Sequence, residues 1–115
     1  MEVIKKDIYI PRGNSYTLYV KLTSAGRPFE VENMYFTIKR DASTEFIKQK
    51  KLNDGITIKD EGYYLINLTA EETEEMNFNN LFKYDIKIVK NSLEKTIVMG
   101  DFMVTVDYTR RAEQW

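Results

Sequence analysis

Apolar residues recur at every second position through much of this chain. Between Ser15 and Thr23, Tyr16, Leu18, Val20 and Leu22 alternate with Thr17, Tyr19 and Lys21, the period of a strand with one buried face. Asn33 to Arg40 repeats the pattern, with Met34, Phe36 and Ile38 set against Tyr35, Thr37 and Lys39. Tyr64, Ile66 and Leu68 share a face in the next long run, and Phe82, Tyr84, Ile86 and Ile88 do so in the one after it. Phe102, Val104, Val106 and Tyr108 close the series, alternating with Met103, Thr105 and Asp107.

Shorter candidates fill the gaps. Ile4 to Ile10 reads as an edge strand ended by Pro11, which has no amide to give a ladder. Phe29 and Val31 begin an extended piece, and Ile56 to Ile58 a brief strand. Within 41–51, Phe46 to Lys51 reads as an edge strand whose lysines deter pairing with other chains. Lys95 to Met99 returns from a hairpin loop at Lys90 to Glu94, and Gly100 is expected to interrupt it with a bulge or bend. Turn chemistry at Arg12-Gly13-Asn14, Ser24 to Pro28, Asn53-Asp54-Gly55 and Asp60-Glu61-Gly62 separates these pieces.

One segment breaks the two-residue period. Thr69-Ala70-Glu71-Glu72 has the spacing of a capping box, in which the Thr69 hydroxyl accepts from the Glu72 amide and the Glu72 carboxylate accepts from the Thr69 amide. The acids also suit the positive end of a helix dipole. A short helix ending near Asn77 to Asn80 follows, so Gly62 to Val89 reads as strand, helical turn, strand: a crossover between two sheets. The element list predicts an all-β fold, an immunoglobulin-like antiparallel β-sandwich with one short helical turn in a crossover. It forms a single domain over 1–115, with a frayed tail at about 109–115.

Composition narrows the chemistry. Neither cysteine nor histidine occurs, which excludes disulfides, thiol nucleophiles, thiolate zinc sites and histidine-dependent catalysis. The net charge of -1 gives no field that would gather nucleic acid or an anionic membrane, and it leaves protein as the expected partner. No run approaches the roughly 20 apolar residues of a membrane span, and the first residues lack the apolar core of an export signal.

The densest acidic cluster is Glu71, Glu72, Glu74 and Glu75, which lacks the alternating ligands and glycine of a calcium loop and reads as a solvated helix face with a cap. Asp85, Asp101 and Asp107 lie in or beside strands and read as partners for lysines or turn amides rather than as a hydrolytic pair. No catalytic, metal or cofactor-binding residue is expected, and the protein is read as no enzyme. Tyr9, Tyr19, Tyr35 and Tyr63 fall opposite the apolar stripes and form the candidate interaction surface, together with Trp115 near the end of the chain.

The order of these elements resembles the N-terminal domain of phage baseplate upper proteins and related small tail-associated domains of phages and prophages of Gram-positive bacteria. The landmarks are Ile10 to Leu22, Tyr35 to Lys39, Leu68 to Thr73, Tyr84-Asp85-Ile86 and Gly100 to Arg110. The resemblance implies a structural or assembly module of a tail or baseplate, working by protein contact without a cofactor. Its partners would be other virion proteins and copies of itself, and its location the host cytoplasm and then the virion. The alternative is a carbohydrate-binding module for host surface recognition that uses the exposed tyrosines. A cell-surface adhesion domain is disfavoured by the missing export signal.

Overall fold

A computed structural model describes residues 4–40, 46–76 and 82–105. Its strands follow the alternation. β1 (Ile4–Lys5), β2 (Ile8–Pro11) and β3 (Tyr16–Lys21) are followed by a small hairpin of β4 (Thr23–Ser24) and β5 (Arg27–Pro28). Then come β6 (Asn33–Arg40), β7 (Phe46–Leu52), β8 (Gly55–Asp60) and β9 (Tyr63–Leu68), the helix α1 (Ala70–Glu74), β10 (Phe82–Lys90) and β11 (Leu93–Thr105).

The strands pack as an immunoglobulin-like β-sandwich. One layer is β8–β9–β3 and the other is β7–β6–β10–β11, extended by β1 and β2. The ladders within both layers are antiparallel, except that β1 and β2 run parallel to β11. The chain passes from one layer to the other at Lys51 to Ile56, where β7 and β8 touch through the short parallel pairs Lys51 with Gly55 and Leu52 with Ile56. It passes again between β9 and β10, as expected for Gly62 to Val89.

The inward stripes meet in one core. Leu18, Val20, Ile56, Tyr64, Ile66 and Leu68 from the first layer face Met34, Phe36, Ile38, Phe82, Tyr84, Ile86 and Phe102 from the second. Phe36, Tyr84 and Phe102 form a mutually tilted trio with centroids 5.6–6.4 Å apart, a geometry that suits the ring quadrupoles.

Two expectations about the last hairpin are corrected. The loop is only Asn91–Ser92, since Lys90 already pairs with Leu93. β11 runs through Gly100 without a break, and the register shift falls between Ile86 and Lys87. Gly100 is required for a different reason: a Cβ there would lie 2.0 Å from the Lys6 carbonyl oxygen, where the chain between β1 and β2 runs alongside β11.

α1 is held at both ends of its single turn and a half. The capping box forms as its spacing predicts, with Glu72 N 3.2 Å from Thr69 Oγ1 and Thr69 N 2.9 Å from Glu72 Oε1. The buried Thr73 hydroxyl accepts from Gly13 N at 3.0 Å and lies 2.8 Å from the Asn14 carbonyl it donates to, so the helix locks the turn between β2 and β3. Arg12 adds a donor to the Glu74 carbonyl at 2.9 Å. The helix ends at Glu74, with Glu75 as its C-cap, earlier than the expected Asn77 to Asn80; those residues lie outside the described ones, as do Asp107 and the tail at 109–115.

Candidate interaction site

The outward positions of β3 and β9 bring two of the candidate tyrosines together. The register pairs Lys21 with Tyr63 and Tyr19 with Leu65, which makes Tyr19 and Tyr63 diagonal neighbours on the outer face. Their rings meet edge to face with centroids 6.2 Å apart, and Lys59 Nζ sits 5.1 Å from the Tyr63 centroid. Tyr19 remains 59% exposed. On the same face Thr17 donates to Asn67 Oδ1 at 3.1 Å, which fixes the far end of the ladder.

The other candidates stand elsewhere. Tyr9 projects from β2 opposite Met103, on the outer face of the second layer. Tyr35 lies on that same layer between Lys51 and Lys87, its hydroxyl accepting from Asn33 Nδ2 at 3.1 Å. The expected single row is therefore split, two tyrosines to each outer face, because β2 and β6 belong to one layer and β3 and β9 to the other. Trp115 lies outside the described residues.

The charged groups are used in holding the fold. Lys50 Nζ is 2.6 Å and Lys48 Nζ 3.5 Å from Glu72 Oε2, so these lysines tie β7 to α1 instead of only guarding an edge. Burial alone would raise the Glu72 carboxyl. The hydrogen bonds from Lys50 and the Thr69 amide, with the Lys50 and Lys48 charges, outweigh it and hold the group below its ordinary value. Asp101 pairs with Lys83, and its amide donates to Asp7 Oδ1 at 2.9 Å. Among the described residues no group of three or more acidic, histidine or cysteine side chains is placed to hold a metal ion.

The alternation did not reveal a cleft of about 300 Å³ between the layers. Leu18, Val20 and Leu22 line one side, Tyr84, Ile86 and Ile97 the other, with Val98 beside them. Lys6 and Lys21, both exposed, stand in its lining, and among the described residues no carboxylate does. Its walls come from strands of both layers, β3 on one side and β10 and β11 on the other, so no local sequence signal marked it.

Comparison with known proteins returns no matching family model and no matching curated protein. Solved structures do match. One comes from a photo-crosslinking study of multimeric cell-adhesive interactions of VGSC beta subunits, at 16% identity, with 90% of this chain and 93% of that chain covered and a TM-score of 0.49. Another is a parallel homodimer of the extracellular domains of the voltage-gated sodium channel beta4 subunit, at 16% identity, 90% and 92% coverage and a TM-score of 0.46. Similarity at this level concerns the fold and transfers none of those proteins' roles.

The expected role as a phage or prophage tail module, with sugar binding as its alternative, is corrected: these matches are to cell-adhesive domains and not to tail proteins. Among the described residues no helix is long and apolar enough to cross a membrane.

Proposed function

We propose that the protein is a non-catalytic contact module that binds protein, including further copies of itself, through the outer face of its β8–β9–β3 layer. The observation that carries the reading is the Tyr19–Tyr63 pair, an exposed Tyr19 braced edge to face by a half-buried Tyr63 that Lys59 caps, on an antiparallel ladder. Tyrosine offers a large amphipathic contact area for little lost side-chain freedom, and interface anchors are enriched in it. The ladder beneath keeps the rings in place before a partner arrives, which lowers the ordering cost of association.

Sedimentation across a concentration series tests this. The natural protein should self-associate, and Tyr19→Ala with Tyr63→Ala should weaken the association about tenfold or more, equivalent to roughly 1.4 kcal/mol. A protein that stays monomeric to millimolar concentration, or an association indifferent to both substitutions, would overturn it.

A further inference from the structure

The open edge of β3 and the cleft behind it form one feature. Among the described residues β3 has a single strand neighbour, β9. Leu22 gives its amide to the Gly62 carbonyl at 2.7 Å. By the alternation of an antiparallel ladder, Val20 and Leu18 turn their amides toward β9 as well, and the N–H and C=O groups of Thr17, Tyr19 and Lys21 face away from it. The strand has no proline, no bulge in its register with β9 and no inward-pointing charge, and Lys21 at its end is its single edge lysine. Directly behind it lies the apolar cleft between Leu18 and Val20 on one side and Ile86 and Ile97 on the other.

We infer that this edge is an acceptor for an extended segment of a different protein, which pairs its backbone with β3, sends alternate apolar side chains into the cleft and meets Lys6 and Lys21 with a carboxylate. Each requirement comes from a separate observation. The unpaired backbone row calls for an extended chain, since a strand added to a sheet edge satisfies both sets of groups at once. The cleft calls for apolar residues at a two-residue period. Among the described residues the charge of its lining is one-sided, two lysines and no acid, and this selects an acidic partner. It also selects against a second copy, whose own β3 would bring Lys21 to a rim already cationic. The site adjoins the Tyr19–Tyr63 face, since Tyr19 stands in the cleft lining and Lys21 pairs with Tyr63, but it rests on the edge amides and the apolar cleft, which the proposed function does not use.

The probes are blocked heptapeptides alternating valine with threonine, ended in one series by glutamate and in the other by lysine. With the natural protein, the glutamate-ended peptide should bind and slow hydrogen exchange at the amides of Thr17, Tyr19 and Lys21. The paired change Lys6→Glu and Lys21→Glu, at exposed side chains that leave the core untouched, should weaken that peptide about tenfold and reverse the preference toward the lysine-ended one. An unchanged urea midpoint would show that the variant is folded. No binding of either peptide at millimolar concentration would overturn the inference, as would binding that leaves the edge amides unprotected. Protection of those amides by self-association alone, or displacement of the peptide by decanoate with no edge protection, would assign the cleft to a second copy or to a small amphiphile and likewise overturn it.

Discussion

Tyr84 donates its hydroxyl to the carbonyl of Lys6 at 2.5 Å, joining residues 78 positions apart. The bond fixes the segment between β1 and β2, which both pair along the same edge of β11, beside the core trio of Phe36, Tyr84 and Phe102. Burial, followed by the charges of Tyr16 and Asp7, pushes the Tyr84 hydroxyl up to about 12 from an ordinary 10.0. Burial also raises the Tyr16 hydroxyl.

These shifts set the alkaline limit of the fold. The unfolded chain ionises its tyrosines near 10, while folded Tyr84 holds its proton until about 12. The contribution is therefore complete below pH 10 and is lost as pH rises through 12, an effect on the order of 2–3 kcal/mol. Urea unfolding measured from pH 9 to 12 should show this decline, and Tyr84→Phe should flatten much of it while lowering stability at pH 7 through loss of the bond to Lys6.

Glu72 governs the acid limb with the opposite sign. Its carboxyl is held below the ordinary 4.5, so its stabilisation is present above that value and lost as pH falls through the lowered folded value. Glu72→Gln can still cap the helix but leaves Lys50, whose side chain is only 14% exposed, without its ion-pair partner. The variant should lose about 1–2 kcal/mol at pH 7 and show a shallower decline below pH 4.5 in acid titrations followed by circular dichroism. An acid limb superimposable on that of the natural protein would rule out this assignment.

Thr73 shows where strand periodicity falls short. The capping box and its acids were legible from Thr69 to Glu72, because a cap depends only on neighbours three residues apart. The role of the Thr73 hydroxyl was not legible, because its partners Gly13 and Asn14 are about 60 positions away and only the tertiary fold brings them near. The inward stripes were legible for the same local reason, and all of Tyr64, Ile66, Leu68, Phe82, Tyr84, Ile86 and Ile88 are buried as the alternation requires. Which layer each strand joins was not, so Tyr9 and Tyr35 could not be separated from Tyr19 and Tyr63 in advance. Thr73→Val keeps the shape and removes the hydroxyl. It should cost about 1–2 kcal/mol, seen as a lower urea midpoint at unchanged slope, since a part-buried amide and carbonyl lose their side-chain partner.

Gly100 and Gly26 separate steric conflict from backbone strain. A Cβ on Gly100 would meet the Lys6 carbonyl oxygen at 2.0 Å and its carbon at 2.6 Å, both backbone atoms that cannot swing aside. Gly100→Ala should cost about 3 kcal/mol or more and disturb the β1–β11 pairing. Gly26 has open space around it but a φ of +78° in the β4–β5 turn, so Gly26→Ala should cost only about 1 kcal/mol. Equal losses in the two variants would contradict this distinction.

The β10–β11 turn offers a stabilising change. Lys90 and Leu93 pair directly across Asn91 and Ser92, which have φ of +52° and +63°. Two successive left-handed residues are the signature of a two-residue hairpin whose twist matches its strands, and asparagine followed by glycine fits it best. Asn91 tolerates the conformation and its amide is held by Glu32 Oε1 at 2.6 Å, so the strain concentrates on Ser92. Ser92→Gly relieves that strain at the expense of a more flexible unfolded chain, and the balance should favour the folded state by about 0.5–1 kcal/mol. A raised urea midpoint with the tyrosine-face association unchanged is the expected result. A lowered midpoint would mean that the serine is not strained in this turn.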